Sequence, residues 1–192
     1  MSMMVVGDVQ LMKQNGAIYL AHVAITGEDI ALIRASFQKI AATGDRASAL
    51  FYRRLFEAEP ELEALFPLNL ESQQKKFTQM LAVLVEKLDT PELVTELLKD
   101  LGRRHAGYDV KDEHYDKVGQ ILLQTFAELL GDDCDAKTTA AWSSLYRVFA
   151  FLMKKASTLG VPSSQYYRVM LQGVLVAQYG ADVMPTRGGR TV

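Results

Sequence analysis

Thr90-Pro91-Glu92-Leu93-Val94-Thr95-Glu96-Leu97-Leu98-Lys99-Asp100-Leu101-Gly102-Arg103-Arg104-His105-Ala106-Gly107 is the stretch on which the fold turns. Proline just after a threonine marks a helix start, and the glycine marks its stop. His105 follows Leu97, Leu98 and Leu101 by eight, seven and four positions. All four therefore share one helix face near its C-terminal end. A neutral imidazole there has two uses. It either sits half-buried with a backbone partner, or gives one nitrogen to a metal while its other N–H donates to a free carbonyl. Spacing alone does not separate the two.

Outward from this stretch the pattern stays helical. No proline occurs between Pro91 and Pro162, and no segment shows sustained period-two alternation bounded by turn residues. Thr26-Gly27-Glu28-Asp29 reads as a capped helix start, followed by Ile30, Leu32, Ile33, Phe37 and Ile40 at helical spacing. Ala41-Ala42-Thr43-Gly44-Asp45 breaks that helix. The next carries Ala49, Leu50, Phe51, Leu55 and Phe56. Pro60 opens a short helix through Ala64, before a corner at Phe66-Pro67-Leu68-Asn69. A long helix is expected from about Glu71 to Leu88, another capped by Asp112 with Tyr115, Val118, Leu122 and Phe126, and a last one from about Asp135 to Ser157. About seven helices of unequal length with short connections suit orthogonal packing better than a symmetric bundle. The fold class is all-α, with a domain over residues 25–157 and extensions at 1–24 and 158–192.

The extensions differ in character. Residues 1–24 are weakly patterned. Tyr166-Tyr167-Arg168-Val169-Met170-Leu171-Gln172-Gly173-Val174-Leu175-Val176 is too apolar for a solvated tail. It is read as an extra helix docked on the core, or as a dimerisation or partner segment. The run from Pro185 to Arg190 is expected to lack order.

Composition excludes several function classes. The net charge is -2 with both signs interleaved, so there is no footprint for nucleic acid and no polybasic face for a membrane. The single cysteine, Cys134, excludes an intramolecular disulfide and multi-cysteine zinc or iron–sulfur sites; it is read as inert. No apolar stretch is long enough to span a bilayer and no leader is visible, so the cytoplasm is expected. HExxH, GxSxG and glycine-rich phosphate loops are all missing. Of the three histidines, His22 is expected at the surface, and His114 starts a helix and points to solvent.

Five segments taken together carry a resemblance. They are Leu50-Phe51-Tyr52-Arg53-Arg54-Leu55-Phe56, Pro60-Glu61-Leu62-Glu63-Ala64-Leu65-Phe66, Leu101-Gly102-Arg103-Arg104-His105, His114-Tyr115-Asp116-Lys117-Val118-Gly119 and Ala141-Trp142-Ser143-Ser144-Leu145-Tyr146. In this order and at these distances they resemble the bacterial single-domain haem globins, relatives of the globin module of flavohaemoglobins and of neuroglobin-like proteins. The resemblance covers about Ile25 to Ser157. It implies a globin fold around haem b, iron protoporphyrin IX.

The resemblance also implies roles. His105 takes the place of the proximal iron ligand. Phe66 takes that of the aromatic wedge at the corner, Tyr52 that of the distal tyrosine. Gln73 falls at the distal position held by His or Gln, with Gln74 replacing it if the corner is one residue shorter. Phe77 lies one turn on. Leu101, Val110, Tyr115 and Val118 line the proximal and haem-edge walls. Tyr52 has a second reading as a core tyrosine with a backbone partner, and Met80 is read as core rather than as a ligand. A phenol and an amide facing O2 would act as charge-assisted donors and slow its release. One departure stands out. Flavohaemoglobins polarise the proximal histidine with a tyrosine and a glutamate; here Tyr115 holds the first place and Ser157 the second, which puts peroxidase-like activation in doubt.

The implied function is tight binding of O2, NO or CO, with NO oxidised or gas scavenged using electrons from a separate reductase. Signalling as a gas or redox sensor through the terminal extension is the alternative, and a globin fold without haem is the third reading.

Overall fold

A computed structural model describes residues 2–6, 9–14, 17–20, 23–66 and 69–158. Helices dominate from Gly27 onward. They are α1 (Gly27–Ala41), α2 (Arg46–Ala58), α3 (Leu70–Glu86), α4 (Pro91–Ala106), α5 (Asp112–Leu130) and α6 (Ala136–Thr158), with 3₁₀ turns at Pro60–Leu65, Lys87–Asp89 and Gly131–Asp133. From Gly27 onward the fold is all-α. The apolar segment near the C-terminus, expected as an extra helix or partner segment, lies outside the described residues.

Local chemistry sets the helix ends. At α1 the Asp29 amide donates to Thr26 Oγ1 (3.1 Å) and the Thr26 amide returns a bond to Asp29 Oδ2 (2.8 Å), a reciprocal cap. Asn69 Oδ1 accepts from the Ser72 amide at 3.0 Å to start α3, and Asp135 Oδ1 accepts from Thr138 at 2.7 Å to start α6. Gly44 turns the chain between α1 and α2 with φ +59°, a conformation that L side chains rarely adopt. Asp112, expected as a cap, is instead the first residue of α5, and Lys111 is the capping position. His114 does not point to solvent. Its Nδ1 accepts the Lys111 amide at 3.2 Å, and the ring is half-buried. Ala49, expected on the apolar face of α2, is exposed.

The N-terminal segment departs from expectation. Residues expected to be weakly patterned form four antiparallel strands, β1 (Ser2–Val6), β2 (Val9–Gln14), β3 (Ala17–Leu20) and β4 (Val23–Ile25), in the order β1-β2-β3-β4. Met4 pairs with Leu11, Leu11 with Leu20, and Leu20 with Val23. Strand β4 meets α6, and its last residue, Ile25, is buried.

Packing positions two helices for function. Helix α4 packs on α6, where Gly102 lets the backbones meet: a Cβ there would lie 2.3 Å from Met153 O. Helix α3 packs on α1 and α2. Its buried residues are only Val83, Leu84 and Val85, at its C-terminal end. Trp142 of α6 ties α1 and α5 to the core. Its ring meets Phe126 at 4.7 Å and Phe37 at 6.4 Å, and its Nε1–H donates to Ser36 Oγ at 2.9 Å.

Candidate functional site

Two clusters gather the residues singled out above. The first is aromatic and surrounds Tyr52 on α2. Its ring meets Phe51 (5.1 Å), Phe66 (5.4 Å), Phe56 (5.8 Å) and Phe77 (5.9 Å), mostly edge to face. Edge-to-face pairs add to the stabilisation from area burial. Phe51 and Phe77 stack at 4.8 Å with planes 3° apart. Tyr52 is 2 % exposed. Burial pushes its phenol up to about 12, and a hydrogen bond with the Gln73 side chain offsets part of that rise. The structure thus brings Tyr52, Gln73, Phe66 and Phe77 together. Phe51 and Phe56 belong to the same cage, though their spacing marked them only as core. Phe56 sits one turn from Tyr52, the signal that could have placed it.

The second cluster sits at the end of α4. His105 Nδ1 lies 2.8 Å from the Leu101 carbonyl oxygen. A carbonyl only accepts, so Nδ1 carries the proton and Nε2 keeps its lone pair. Burial pulls the imidazole below its ordinary range, with Arg104 adding to the effect and the Leu101 bond opposing it. The neutral form is therefore favoured. The Tyr115 ring lies 6.0 Å from His105 at 30°. Val110 reaches back, its amide donating to the His105 carbonyl at 3.2 Å. Val118 follows one turn after Tyr115 on α5 and is half-buried.

Tyr115 presents an unsettled group. Its hydroxyl is buried and has no hydrogen-bond partner; burial, then the nearby Asp112 charge, push it up to about 12. Ser157 does not serve it, because Ser157 Oγ donates to the Lys154 carbonyl at 2.7 Å. A cation lies close instead. Lys154 Nζ stands 5.7 Å from the Tyr115 ring centre and bonds Asp116 Oδ1 at 3.1 Å.

The donor set fits a haem. One imidazole nitrogen is free and oriented by its partner, and apolar Phe66, Phe77, Met80, Leu101, Val110 and Val118 remain only half-buried on helix faces and corners. Such surface is costly in water and is what a flat apolar group would cover. No group of three or more His, Cys, Asp or Glu side chains that could hold a metal ion converges among the described residues.

Known proteins resemble this chain in sequence and in fold. The sequence matches the family Globin over residues 49–153, more than half of the chain. A flavohemoprotein of Rhizobium meliloti is 29% identical over 140 residues, covering 71% of this chain and 34% of the relative. The chain spans about a third of the length of the flavohemoproteins it matches. A solved bacterial globin from Campylobacter jejuni superposes with a TM-score of 0.61 at 24% identity, over 69% of this chain and 96% of that one. An engineered carbene transferase, made from a Rhodothermus marinus protein provisionally described as a nitric oxide dioxygenase, gives 0.62 at 27% identity, over 76% and 98%. Matched in sequence across its helical core and in shape across nearly the whole of two solved relatives, the chain belongs to the globin family, whose helices pack around a haem pocket.

Proposed function

We propose that this globin holds haem b through His105 Nε2 and retains a diatomic gas, O2 or NO, against Tyr52 and Gln73, consuming NO or scavenging the gas with electrons from a separate reductase. Residues 25–157 form the functional unit, with 1–24 and 158–192 as extensions, and the cytoplasm is its place of action. The observation that carries this is the locked imidazole. Leu101 holds Nδ1–H, leaving Nε2 as the free donor.

When bound, haem supplies an iron that polarises a diatomic ligand and exchanges single electrons with a partner. The chain's own residues do the rest. Tyr52, protonated far above neutral pH, donates a hydrogen bond to a ligand carrying partial negative charge, and Gln73 orients the phenol. Phe51, Phe66 and Phe77 exclude water from that donor. The Tyr115 hydroxyl, beside His105, has no hydrogen-bond partner, so no carboxylate is bonded through it to the imidazole and His105 gains little negative character. That favours holding a gas over cleaving an O–O bond. The name of its relatives, flavohemoprotein, couples a haem protein to a flavin, which supports a reductase as the source of electrons.

Hemin titration followed by absorption spectroscopy tests the proposal. A Soret band is expected in the native chain and is lost or weakened in His105→Ala. Mixing the oxygenated protein with NO should convert it rapidly to the ferric form. Saturating hemin without a Soret band would end the proposal at its first step.

A further inference from the structure

The corner between α4 and α5 is held by hydrogen bonds rather than by packing. Asp109 stands there at φ +61°, the left-handed region, and no other non-glycine residue among those described does so. Such a conformation persists only where its surroundings hold it. Burial does not, since residues 106–109 and 111–113 are exposed. On the near side, the Tyr108 and Val110 amides both donate to the His105 carbonyl (3.0 and 3.2 Å), and the Asp109 amide donates to the Ala106 carbonyl (3.3 Å). On the far side, the Lys111 amide donates to His114 Nδ1 at 3.2 Å, and the His114 amide returns a bond to the Lys111 carbonyl at 3.1 Å. Lys111 has no side-chain acceptor with which to cap α5 itself, so the imidazole takes that part.

Nδ1 accepts only while it lacks a proton, so the neutral His114 ring carries its proton on Nε2. Protonation would set a second donor against the Lys111 N–H. It would also put a positive charge at the helix end whose free amides repel it. The charged group facing the ring is Glu113, an exposed carboxylate with Oε1 4.0 Å from Nε2. One turn on, Lys117 is held by Glu59 and Glu61 of the 3₁₀ turn, and on α6 Lys154 is held by Asp116. We infer that His114 is a positioning residue: its neutral ring latches the α4–α5 corner, and through Val110 the end of α4 that carries His105, and it lets go as the ring takes up a proton. The latch stands on the corner alone; its effect on haem retention rests on the function proposed above.

A titration of the native chain from about pH 8 to about pH 5 spans the range in which histidines ordinarily change charge. The Lys111 amide signal should move together with the His114 ring signals, and hydrogen-exchange protection at residues 108–111 should fall with them. His114→Gln offers a capping-box acceptor that does not titrate, and should keep that protection throughout. His114→Ala should lack it even at about pH 8. In the hemin-loaded protein, transfer of hemin to serum albumin should quicken on acidification about fivefold more in the native chain than in His114→Gln, the equivalent of one lost cap. A Lys111 amide that stays still while the ring titrates, the same loss of protection in His114→Gln, or full protection in His114→Ala would overturn the latch. Equal acid quickening in the native chain and His114→Gln would overturn its effect on haem retention. If hemin gives no Soret band, haem retention falls with the function proposed above while the amides still decide the latch.

Discussion

In the function proposed above, Tyr52 carries the chemistry beside a bound gas in one hydroxyl. Its worth to a bound gas is that of one charge-assisted hydrogen bond, about 1.5 kcal/mol. Tyr52→Phe should therefore speed O2 dissociation about tenfold, the rate equivalent of that energy, read by stopped-flow displacement with CO; an unchanged rate would mean the phenol does not touch the gas. Burial makes a second, independent expectation. The folded phenol is raised from 10.0 to about 12, so the fold retains a proton that the unfolded chain gives up. This contribution to stability is complete below about pH 10 and is lost as pH rises through about 12. In an alkaline titration Tyr52→Phe should lose phenolate absorbance only in the late phase, above about pH 11. Loss of an early-titrating tyrosine would show that Tyr52 is exposed. Much of this site was legible residue by residue, because Tyr52 and His105 stand at recognisable distances within family segments. Phe51 and Phe56 were not, since an aromatic at helical spacing looks the same in a cage as in a core. The Lys154 contact with Tyr115 was beyond reach too, because it joins two helices.

Helices α4 and α6 stand or fall on Gly102. A Cβ there would lie 2.3 Å from Met153 O and 2.8 Å from Met153 Cα, both backbone atoms that cannot rotate away. Gly102→Ala should lower unfolding free energy by about 3 kcal/mol, the upper range for overpacking, measured by urea denaturation. Because α4 carries His105, the variant should also bind hemin more weakly. At Gly119 the clash is with the Tyr146 ring, a side chain whose hydroxyl is fastened to the Tyr115 carbonyl. Gly119→Ala should cost less, since a ring can swing where a backbone cannot. Equal losses would mean that backbone contact is not the controlling feature. Helix order and most ends were legible from caps, prolines and glycines. The strands were not. Met3, Met4, Val5 and Val6 are apolar without alternation, so the period-two pattern that marks a half-buried strand is absent. Gly7-Asp8 and Asn15-Gly16, both turn-forming pairs, were the hairpin signals available.

Across the whole molecule, stability is unevenly distributed. Ile33, Leu55, Leu145, Leu152 and Trp142 are almost fully buried, each side chain of this size contributing about 2 kcal/mol by burial. That core is shared by α1, α2 and α6. By contrast, α3 has no fully buried residue from Leu70 to Ala82, and Leu101, Val110 and Val118 are only half-covered. Segments with few buried apolar contacts open locally at low free energy. A ligand that covers them stabilises chiefly those segments, by an amount set by its concentration relative to its dissociation constant. Hydrogen exchange before and after hemin addition should separate the two regions. Amides of residues 70–82 and 101–110 are expected to exchange rapidly at first and to slow on hemin binding, while those of α1 and of Val83–Val85 should change little. Were protection to rise evenly along the chain, hemin would be stabilising the fold globally rather than covering those two segments. The proximal and distal assignments would then lose their common surface. A rise confined to 70–82 and 101–110 would tie His105 and Gln73 to one ligand, a relation that no spacing within either helix could express.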